Sequence, residues 1–306
     1  MKILLATDGS DSARAAVDFV RHFPFPEHSE VTVLTVLDES LFPADDTAQL
    51  DEQERRVLEQ SERAIREEAE QLIQVEAARL GDAGRPCSTA LRIGHAADEI
   101  VKTAEALQSE LIVVGSHGRG SIKSFLMGSA SNSLLHYAPC SVLIVKDPHM
   151  AEPATVVEGE PPSWNILLAY DSSKPATNAV QACASLPLGE AARVTALTVL
   201  PLVTIYRQDI RQRMSVFWRQ KKAAAQDALD QVVKALRWAT PHVSAQLRES
   251  PNVCQAILDT AAELGSNLIL LGDKGAGTVQ RFLLGSVTHR VARHAKCAVW
   301  VVRNRD

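Results

Sequence analysis

Long hydrophobic runs, paired cysteines and an excess of positive charge are all missing from this sequence of 306 residues. No segment approaches 18 consecutive apolar residues, so no transmembrane helix is expected. The opening residues, MKILLATDGSDS, turn polar too early to form the apolar region of a signal peptide, and a cytoplasmic protein is predicted. The formal net charge of −5 argues against a general nucleic-acid partner, which normally leaves a basic surface.

The cysteines are scattered through the chain without a CxxC pair: Cys87, Cys140, Cys183, Cys254 and Cys297. This spacing is typical of neither a disulfide framework nor a metal site. We therefore expect buried free thiols in a reducing compartment and no metal ligands among them.

The sequence does contain an internal repeat. The block ILLATDGS at 3–10 recurs as ILLAYDSS at 166–173, and LIVVGSHGRG at 111–120 recurs as LILLGDKGAG at 268–277. Three further blocks match in the same order: 31–39 with 194–202, 125–131 with 282–288, and 138–145 with 295–302. Matched blocks in one order indicate a duplication.

The offset between the repeats is 163 residues from Asp8 to Asp171 but 157 residues from Gly115 to Gly272. The difference of six residues must therefore lie between the first and fourth strands. Between the repeats, residues 147–163 carry four prolines and four acidic residues, as expected of an extended surface linker. We predict two domains, 1–147 and 163–306, joined by a linker at 148–162.

Each repeat alternates short apolar runs with helical patterns. In the first repeat we expect strands at Ile3–Ala6, Val31–Leu37, Thr89–Ile93, Leu111–Gly115 and Val142–Val145. Helices are expected at Ser12–Phe23 and at 51–80, with 207–239 as the second-repeat counterpart of the latter. The apolar stripe of the 51–80 helix consists of Leu58, Ile65, Ala69, Leu72, Ile73 and Leu80, with glutamates and arginines elsewhere. The alternation predicts the α/β class: doubly wound domains, each with a five-stranded parallel sheet flanked by helices.

Glycines follow the fourth strand of each repeat. The first repeat has Gly-x-x-Gly, nine residues and a further glycine with small residues after it: Gly115, Gly118, Gly128, Ser129, Ala130 and Ser131. The second repeat has the same spacing: Gly272, Gly275, Gly285, Ser286, Val287 and Thr288. Free backbone N–H groups in such a turn, and at the start of the helix that follows, form anion sites. Two such anion sites in one repeat suit a triphosphate.

With this spacing, both halves resemble the ATP-binding subset of the universal stress protein superfamily, which is marked by Gly-x-x-Gly, nine residues, then Gly-Ser/Thr. The resemblance covers nearly the whole chain apart from the linker. It implies two tandem Rossmann-like (adenine nucleotide alpha hydrolase-like) domains and an ATP ligand, with Mg²⁺ left open. It also implies a regulatory role in a stress response without strong intrinsic catalysis.

The resemblance further implies roles for individual residues. Asp8 and Asp171 match the aspartate near the ribose and adenine, and Thr7 directly precedes the first of them. Val36 and Val199 match the position whose backbone reads the adenine edge. The phosphate and ribose cradle comprises Gly115, Ser116, Gly118, Arg119, Gly128, Ser129, Ala130 and Ser131. Its second-repeat counterpart comprises Gly272, Gly275, Gly285, Ser286, Val287 and Thr288.

The second site departs from the first. Asp273 replaces Ser116 and adds a negative charge, whereas Lys274, in the place of His117, restores a positive one. Ala276 replaces Arg119 and removes a phosphate contact, and Pro251 stands where the first repeat has His95. We therefore predict two sites, of which the first binds triphosphate better.

Structural roles stay open for several of these residues. Asp8 also fits a helix cap, and Gly115 and Gly272 also fit plain strand-to-helix turns. His117 is expected to be an exposed loop histidine without a partner and without a catalytic role. The basic stretch of the 207–239 helix is expected to be a solvated face.

Functions of different classes compete. The first is an ATP-binding regulatory protein; the alternative is a weak ATPase or an autophosphorylating enzyme on the same fold. A Gly-x-x-x-x-Gly-Lys-Ser/Thr loop is missing and no catalytic base can be named, which favours the first. A third is a nucleotide-free dimerisation module.

Residues 141–145 and 298–302 are edge strands, and we expect them to pair within one chain as a pseudo-dimer, with further homodimerisation left open.

Overall fold

The computed structural model of the protein describes residues 1–42, 51–81, 84–118, 127–146, 164–202, 208–275 and 284–304, and for 208–215 the backbone alone. The chain divides into two compact units, Met1–Pro148 and His149–Asp306. The expected linker, 148–162, lies outside the described residues. Its limits, and the domain boundaries built on them, stay a prediction.

The first unit alternates strands and helices along the chain. Its strands are β1 (Lys2–Ala6), β2 (Glu30–Leu37), β3 (Cys87–Ile93), β4 (Leu111–Gly115) and β5 (Ser141–Val145). Its helices are α1 (Asp11–His22), α2 (Glu52–Gly81), α3 (Ala96–Leu107) and α4 (Ser129–Tyr137). The strand order is β3-β2-β1-β4-β5 and the pairings are parallel. The order reverses beside β1, as in a doubly wound sheet.

The second unit repeats this arrangement. Its strands are β6 (Trp164–Ala169), β7 (Ala192–Pro201), β8 (His242–Ser250), β9 (Leu268–Gly272) and β10 (Ala298–Val302). Its helices are α5 (Lys174–Ala184), α6 (Gln208–Leu236), α7 (Val253–Glu263) and α8 (Ser286–His294). The order is β8-β7-β6-β9-β10, again parallel. The α/β class and the doubly wound parallel sheets predicted from the sequence are confirmed.

The central strands form the cores. All residues of β4 and of β9 are buried, and so are those of β1 after Lys2. Consecutive apolar residues bury both faces of a sheet that has helices on both sides. β3 and β8 are only half-buried, because each forms one edge of its sheet.

Most of the length difference between the repeats lies in one connection. Val31 of β2 pairs with Ile3 as Val194 of β7 pairs with Ile166, which keeps the offset of 163. Cys87 of β3 pairs with Val31 as Val243 of β8 pairs with Val194, so the offset at the third strands is 156. It is 157 at the next helices, which are capped by His95 and Asn252. Counted along the strands, Pro251 takes the place of His95 as the sequence predicts, whereas Asn252 takes its place as the helix cap.

Serines begin the first helix of each unit. Ser10 accepts a hydrogen bond from the Ala13 N–H at 3.3 Å, and Ser173 accepts one from the Ala176 N–H at 3.2 Å. Such caps stabilise a helix by about 1 kcal/mol because they satisfy an N–H group that has no partner within the helix. The caps fix where each helix starts relative to the end of the strand before it.

A carboxylate interrupts the apolar face of α2. Ala69, Ile73 and Leu80 are buried as the pattern predicts, but Glu76 is buried among them and is 3% exposed. The Arg79 guanidinium lies 2.8 Å from the Glu76 carboxylate and 2.6 Å from that of Asp18 on α1. The expectation that glutamates lie off the stripe is wrong at this position, because Arg79 supplies the charge that makes burial tolerable.

We expect Arg79→Ala to destabilise the protein by about 3 kcal/mol, because Glu76 is left as an uncompensated buried charge. Arg56→Ala is the matched control, since its pair with Glu52 is exposed and should contribute about 0.5 kcal/mol or less. Urea titration of both variants measures the difference in the free energy of unfolding. Equal values for the two variants would contradict the role given to Arg79.

The cysteines are free thiols, and all but the half-buried Cys87 are buried. Burial raises the pKa of the Cys183 thiol to about 12, and it also raises the pKa values of Cys87 and Cys254. A thiol with a raised pKa is a poor nucleophile. These side chains therefore act as small apolar residues.

The tryptophans are unevenly distributed. Trp164, Trp218, Trp238 and Trp300 all belong to the second unit. Trp164 and Trp300 are buried, whereas Trp238 is 92% exposed.

Within the described residues, no helix combines the length and the apolar character needed to cross a membrane.

Candidate functional site

The first unit has an open cavity at the carboxyl ends of its strands. The cavity measures about 520 Å³ including its mouth. It is lined by the ends of β1, β2 and β4, by residues of α1, α3 and α4, and by the loop after β4. Because β2 and β4 lie on opposite sides of β1, the cavity sits where the strand order reverses. Ligands of doubly wound sheets bind at this position.

One side of the cavity is apolar. Leu34 and Val36 come from β2, and Ala96 and Ile100 come from the first turns of α3. The last two lie four residues apart, so they share one face of the helix. Their spacing directly after a predicted strand is the sequence signal for this wall. A surface of this kind suits a flat apolar group such as a nucleobase.

Asp8 stands at the end of β1, against the loop after β4. Its Oδ1 accepts a hydrogen bond from the Ser10 N–H at 3.0 Å, which fixes the turn into α1. A Cβ atom built on Gly118 would lie 2.8 Å from Asp8 Oδ2. Gly118 is therefore a glycine because the Asp8 carboxylate occupies the place of a side chain. The capping and ligand roles considered for Asp8 are compatible, since Oδ1 accepts from the Ser10 N–H while Oδ2 lies on the side of Gly118.

The start of α1 holds the loop after β4. The Ser12 hydroxyl accepts from the His117 N–H at 3.2 Å and also donates to the His117 carbonyl oxygen. The Ser10 hydroxyl donates to the same carbonyl oxygen at 3.2 Å. Ser12 was missed from the sequence, because nothing in its spacing shows that it faces a loop 105 residues later.

The environment of His117 differs from the one predicted from the sequence. Its ring is half-buried, and Nδ1 lies 2.8 Å from the hydroxyl of Ser116, which is 2% exposed. The prediction of an exposed histidine without a partner is therefore wrong. The His117 backbone is hydrogen-bonded to the start of α1, and the residue lines the cavity.

Backbone donors reach the cavity from the start of α4. In the preceding turn the Ser116 N–H donates to Val145 and the His117 N–H to Ser12, so these two are not free as the sequence suggested. The turn continues at Arg119 and Gly120, which lie outside the described residues. At the start of α4, by contrast, the N–H groups of Ser129, Ala130 and Ser131 have no acceptor among the described residues. A helix N-terminus of this kind attracts anions.

Gly115 and Ser131 hold the frame of the site together. A Cβ atom on Gly115 would lie 2.6 Å from the Ser12 carbonyl carbon, so this glycine lets α1 pack directly on β4. The Ser131 hydroxyl donates to the Gly115 carbonyl oxygen at 2.7 Å, and the Gly128 N–H donates to the Ser116 carbonyl oxygen at 2.8 Å. These bonds place the start of α4 beside the end of β4.

The second unit repeats the hydrogen bonds made by Asp8, Gly128 and Ser131. The Ser173 N–H donates to Asp171 at 3.0 Å, and a Cβ atom on Gly275 would lie 2.9 Å from Asp171 Oδ2. The Thr288 hydroxyl donates to the Gly272 carbonyl oxygen at 2.9 Å. The Gly285 N–H donates to the Asp273 carbonyl oxygen at 2.8 Å. The N–H groups of Ser286, Val287 and Thr288 have no acceptor in the part of the chain that the structure describes.

Asp273 brings a buried charge to the second loop. Its Oδ2 lies 3.4 Å from Arg303 Nε and 3.8 Å from Lys274 Nζ. Lys274 does compensate this charge, as the sequence suggested. The shorter contact comes from Arg303, which was missed because it follows the last strand.

The structure brings most of the predicted residues together. In the first unit the cavity wall includes Thr7, Asp8, Val36, Gly115, Gly118, Ala130 and Ser131. Ser116, Gly128 and Ser129 adjoin it, and Arg119 lies outside the described residues. In the second unit the equivalent positions are held by Asp171, Val199, Gly272, Gly275, Gly285, Ser286, Val287 and Thr288. Whether these residues bind a ligand stays a prediction.

Each unit is thus a doubly wound α/β domain with glycine turns at the end of its fourth strand. The family model of the universal stress protein family matches residues 1–146 and 164–303, and the chain belongs to this family. The two matches give the tandem arrangement that the repeat predicted.

Individual relatives agree. A universal stress protein of Mycolicibacterium smegmatis is 29% identical over 223 residues, which are 72% of this chain and 70% of the relative. A universal stress protein of Methanocaldococcus jannaschii is 30% identical over 152 residues, 47% of this chain and 94% of the relative. A crystal structure of a universal stress protein from Archaeoglobus fulgidus covers 100% of this chain and 97% of its own, with a TM-score of 0.58 at 21% identity. This last similarity supports the fold.

Proposed function

We propose that this chain is a regulatory protein that binds ATP in the cavity of its first domain. The observation that carries the proposal is the cavity at the point where the strand order reverses. One wall is apolar, a carboxylate stands at the end of β1, and a helix begins at the cavity with backbone N–H groups that have no acceptor among the described residues. These are the surfaces that a base, a ribose and phosphates require.

The base is proposed to lie against Leu34, Val36, Ala96 and Ile100. These side chains leave the strand ends and α3 at the same wall of the cavity. Burial of the base between them is favourable by roughly 25 cal/mol for each Å² of apolar surface removed from water. The carboxylate of Asp8 is proposed to accept a hydrogen bond from a ribose hydroxyl.

The phosphates are proposed to lie at the start of α4. Three consecutive N–H groups, from Ser129 to Ser131, have no acceptor among the described residues. The positive end of the helix dipole adds about 0.3–1 kcal/mol to the binding of a negative charge. Hydrogen bonds to a charged oxygen add about 1.5–3 kcal/mol each, so most of the phosphate affinity comes from the backbone donors.

A metal site built by the protein is not needed for this proposal. No group of three or more His, Cys, Asp or Glu side chains that could hold an ion occurs within the described ranges. Mg²⁺ commonly binds through substrate phosphates and one or two carboxylates. We therefore propose that any Mg²⁺ reaches the site with the nucleotide.

The regulatory function is favoured over the enzymatic one by the partners of the titratable groups at the cavity. Asp8 and His117 are the titratable residues among those that line it. Asp8 Oδ1 is engaged by the Ser10 N–H and His117 Nδ1 by the Ser116 hydroxyl. No hydrogen bond given for the described residues directs either group to the start of α4, where a phosphate would lie. An ATPase would need a base there to activate water.

Nucleotide content tests the proposal. Protein purified without added ligand is denatured, and the released adenine nucleotides are quantified per chain. Released ATP supports the proposal, whereas ADP or AMP in its place would favour the weak ATPase. If the protein is empty, ATP at about 100 times its Kd should raise the free energy of unfolding by about 2.7 kcal/mol. No stabilisation by ATP, ADP or AMP would contradict nucleotide binding.

The pairing of edge strands Ser141–Val145 and Ala298–Val302 stays a prediction. Cysteines introduced in pairs along the two strands should cross-link within one chain, and the mass in solution should show whether tandem chains also dimerise. Cross-links only between chains would contradict the pseudo-dimer.

A cytoplasmic location likewise stays a prediction, favoured by the five free thiols.

A further inference from the structure

We propose that Ser12 is a positioning residue for the nucleotide site. Its hydroxyl group fixes the direction of the peptide group between His117 and Gly118, and with it the direction of a backbone donor at the cavity. Ser12 acts through the loop and not by contact with the nucleotide. This inference rests on the proposed function and adds to it a residue that lies outside the glycine motif.

The hydroxyl group of Ser12 has both of its hydrogen-bond partners on one residue. It donates to the His117 carbonyl oxygen and accepts from the His117 N–H at 3.2 Å. The Ser10 hydroxyl donates to the same carbonyl oxygen at 3.2 Å. A carbonyl oxygen has two lone pairs, so the two hydroxyl groups use its full capacity. Since Ser12 is only 8% exposed, water competes little for these bonds.

The serines of α1 hold the part of the loop that nothing else holds. Up to Ser116 the loop is hydrogen-bonded to the end of β5 and to the residue that caps α4. For residues 117–118, the backbone hydrogen bonds within the described part of the chain are those with Ser10 and Ser12. The direction of the peptide group after His117 therefore depends on α1.

This peptide group offers a donor on its other side. In a trans peptide the C=O and N–H groups point in opposite directions. Because the His117 carbonyl oxygen points to the serines of α1, the Gly118 N–H points away from them. Gly118 lines the cavity, and its N–H has no acceptor among the residues that the structure describes. A phosphate or ribose oxygen in the cavity can accept from it.

The glycine at position 118 makes this direction easy to lose. A residue without Cβ reaches backbone conformations that are closed to others, so the preceding peptide group can rotate. Its carbonyl oxygen would then face the ligand oxygens and repel them. A larger residue cannot supply the restraint, since a Cβ atom on Gly118 would lie 2.8 Å from Asp8 Oδ2. Space requires glycine here, and the Ser12 hydroxyl supplies the restraint that glycine lacks.

The second unit separates this role from the packing of the helix on the sheet. Pro175 is the second residue of α5, as Ser12 is of α1. A Cβ atom on Gly272 would lie 2.6 Å from the Pro175 carbonyl carbon. The corresponding distance from Gly115 to Ser12 is also 2.6 Å. Because the helix approaches the fourth strand as closely without a hydroxyl group, packing does not require the hydroxyl of Ser12.

Titration calorimetry of ATP with the full chain tests the inference. We expect Ser12→Ala to weaken ATP binding about tenfold, because a loop that holds the binding direction about a tenth of the time lowers the apparent affinity by that fraction. Ser12→Thr keeps the hydroxyl group and should bind within about threefold of the unaltered chain. Asp11→Ala is the matched control, since it removes a neighbouring exposed side chain that lies 3.9 Å from Arg14. It should leave the affinity unchanged.

Hydrogen exchange of the His117 amide, followed by NMR without ATP, separates positioning from a general loss of stability. Ser12→Ala removes the acceptor of this N–H, so its exchange should be at least about tenfold faster. The amides of Phe19 and Val20, in the buried part of α1, should exchange as in the unaltered chain. Equal acceleration of all three amides would mean that Ser12 stabilises the helix and does not position the loop.

The outcomes separate the inference from the proposed function. ATP binding by Ser12→Ala within about threefold of the unaltered chain would overturn the inference and leave the function standing. Equal weakening by Asp11→Ala or Ser12→Thr would overturn it as well, since the hydroxyl group would not be the cause. No ATP binding by the unaltered chain would refute the function itself. If Ser12→Ala fails to fold, Ser12→Pro is measured against the same limits, because α5 accommodates proline at this position.

Discussion

Replacing Gly118 by valine is expected to abolish ATP binding, with a loss of affinity of at least about 100-fold. The first side-chain atom would lie 2.8 Å from Asp8 Oδ2, closer than such contacts allow. Either the carboxylate or the loop must move. Because the loop is bonded to Ser12 and Asp8 to the Ser10 N–H, movement of either disrupts the cavity at the ribose position.

Titration of ATP into the variant and the unaltered protein measures this loss. Gly81→Val is the matched control, since a Cβ atom on Gly81 would meet nothing within 4 Å. Affinity of Gly118→Val within about threefold of the unaltered protein would remove Gly118 from the site. Gly128→Val should weaken binding less, because its added atom lies 3.3 Å from the Ser116 carbonyl oxygen and a small shift relieves the contact.

Replacing Gly115 by alanine is expected to destabilise the protein by about 3 kcal/mol. The added methyl group would lie 2.6 Å from the Ser12 carbonyl carbon and 2.7 Å from the Ala13 nitrogen. Both are backbone atoms in the first turn of α1, so the whole helix must move. That helix buries Phe19 and Val20 in the core, and its displacement loosens their packing as well.

Urea denaturation followed by circular dichroism measures the change in the free energy of unfolding. Gly81→Ala is the control for the same substitution in open space at the end of α2, and it should be neutral or slightly stabilising. A decrease of less than about 1 kcal/mol in the free energy of unfolding for Gly115→Ala would show that α1 can shift with little loss of stability. In that case Gly115 would not be required for the packing of α1 on β4.

The sequence predicts the fold in detail because local signals and the repeat agree. Expected strand limits differ from the observed ones by at most two residues in the first repeat, as at β3, which begins at Cys87 and not at Thr89. Consecutive apolar residues, capping serines and glycine turns each act within a few residues. The repeat then shows every signal twice.

Contacts between distant segments were harder to predict. The sequence places Ser12 in a helix and His117 in a loop, but it does not show that α1 packs on β4 closely enough for them to meet. The contact of Arg79 with Asp18 and that of Arg303 with Asp273 were missed for the same reason. Polar residues in such positions are predicted to be exposed unless their buried partner is known.

The distribution of tryptophan has a spectroscopic consequence. The fluorophores all belong to the second domain, and the proposed nucleotide site is built wholly from the first. Excitation of tryptophan therefore observes the domain outside the proposed site. A change in its emission when ATP fills that site would mean that the second domain responds to an event in the first, which is what a regulatory tandem requires.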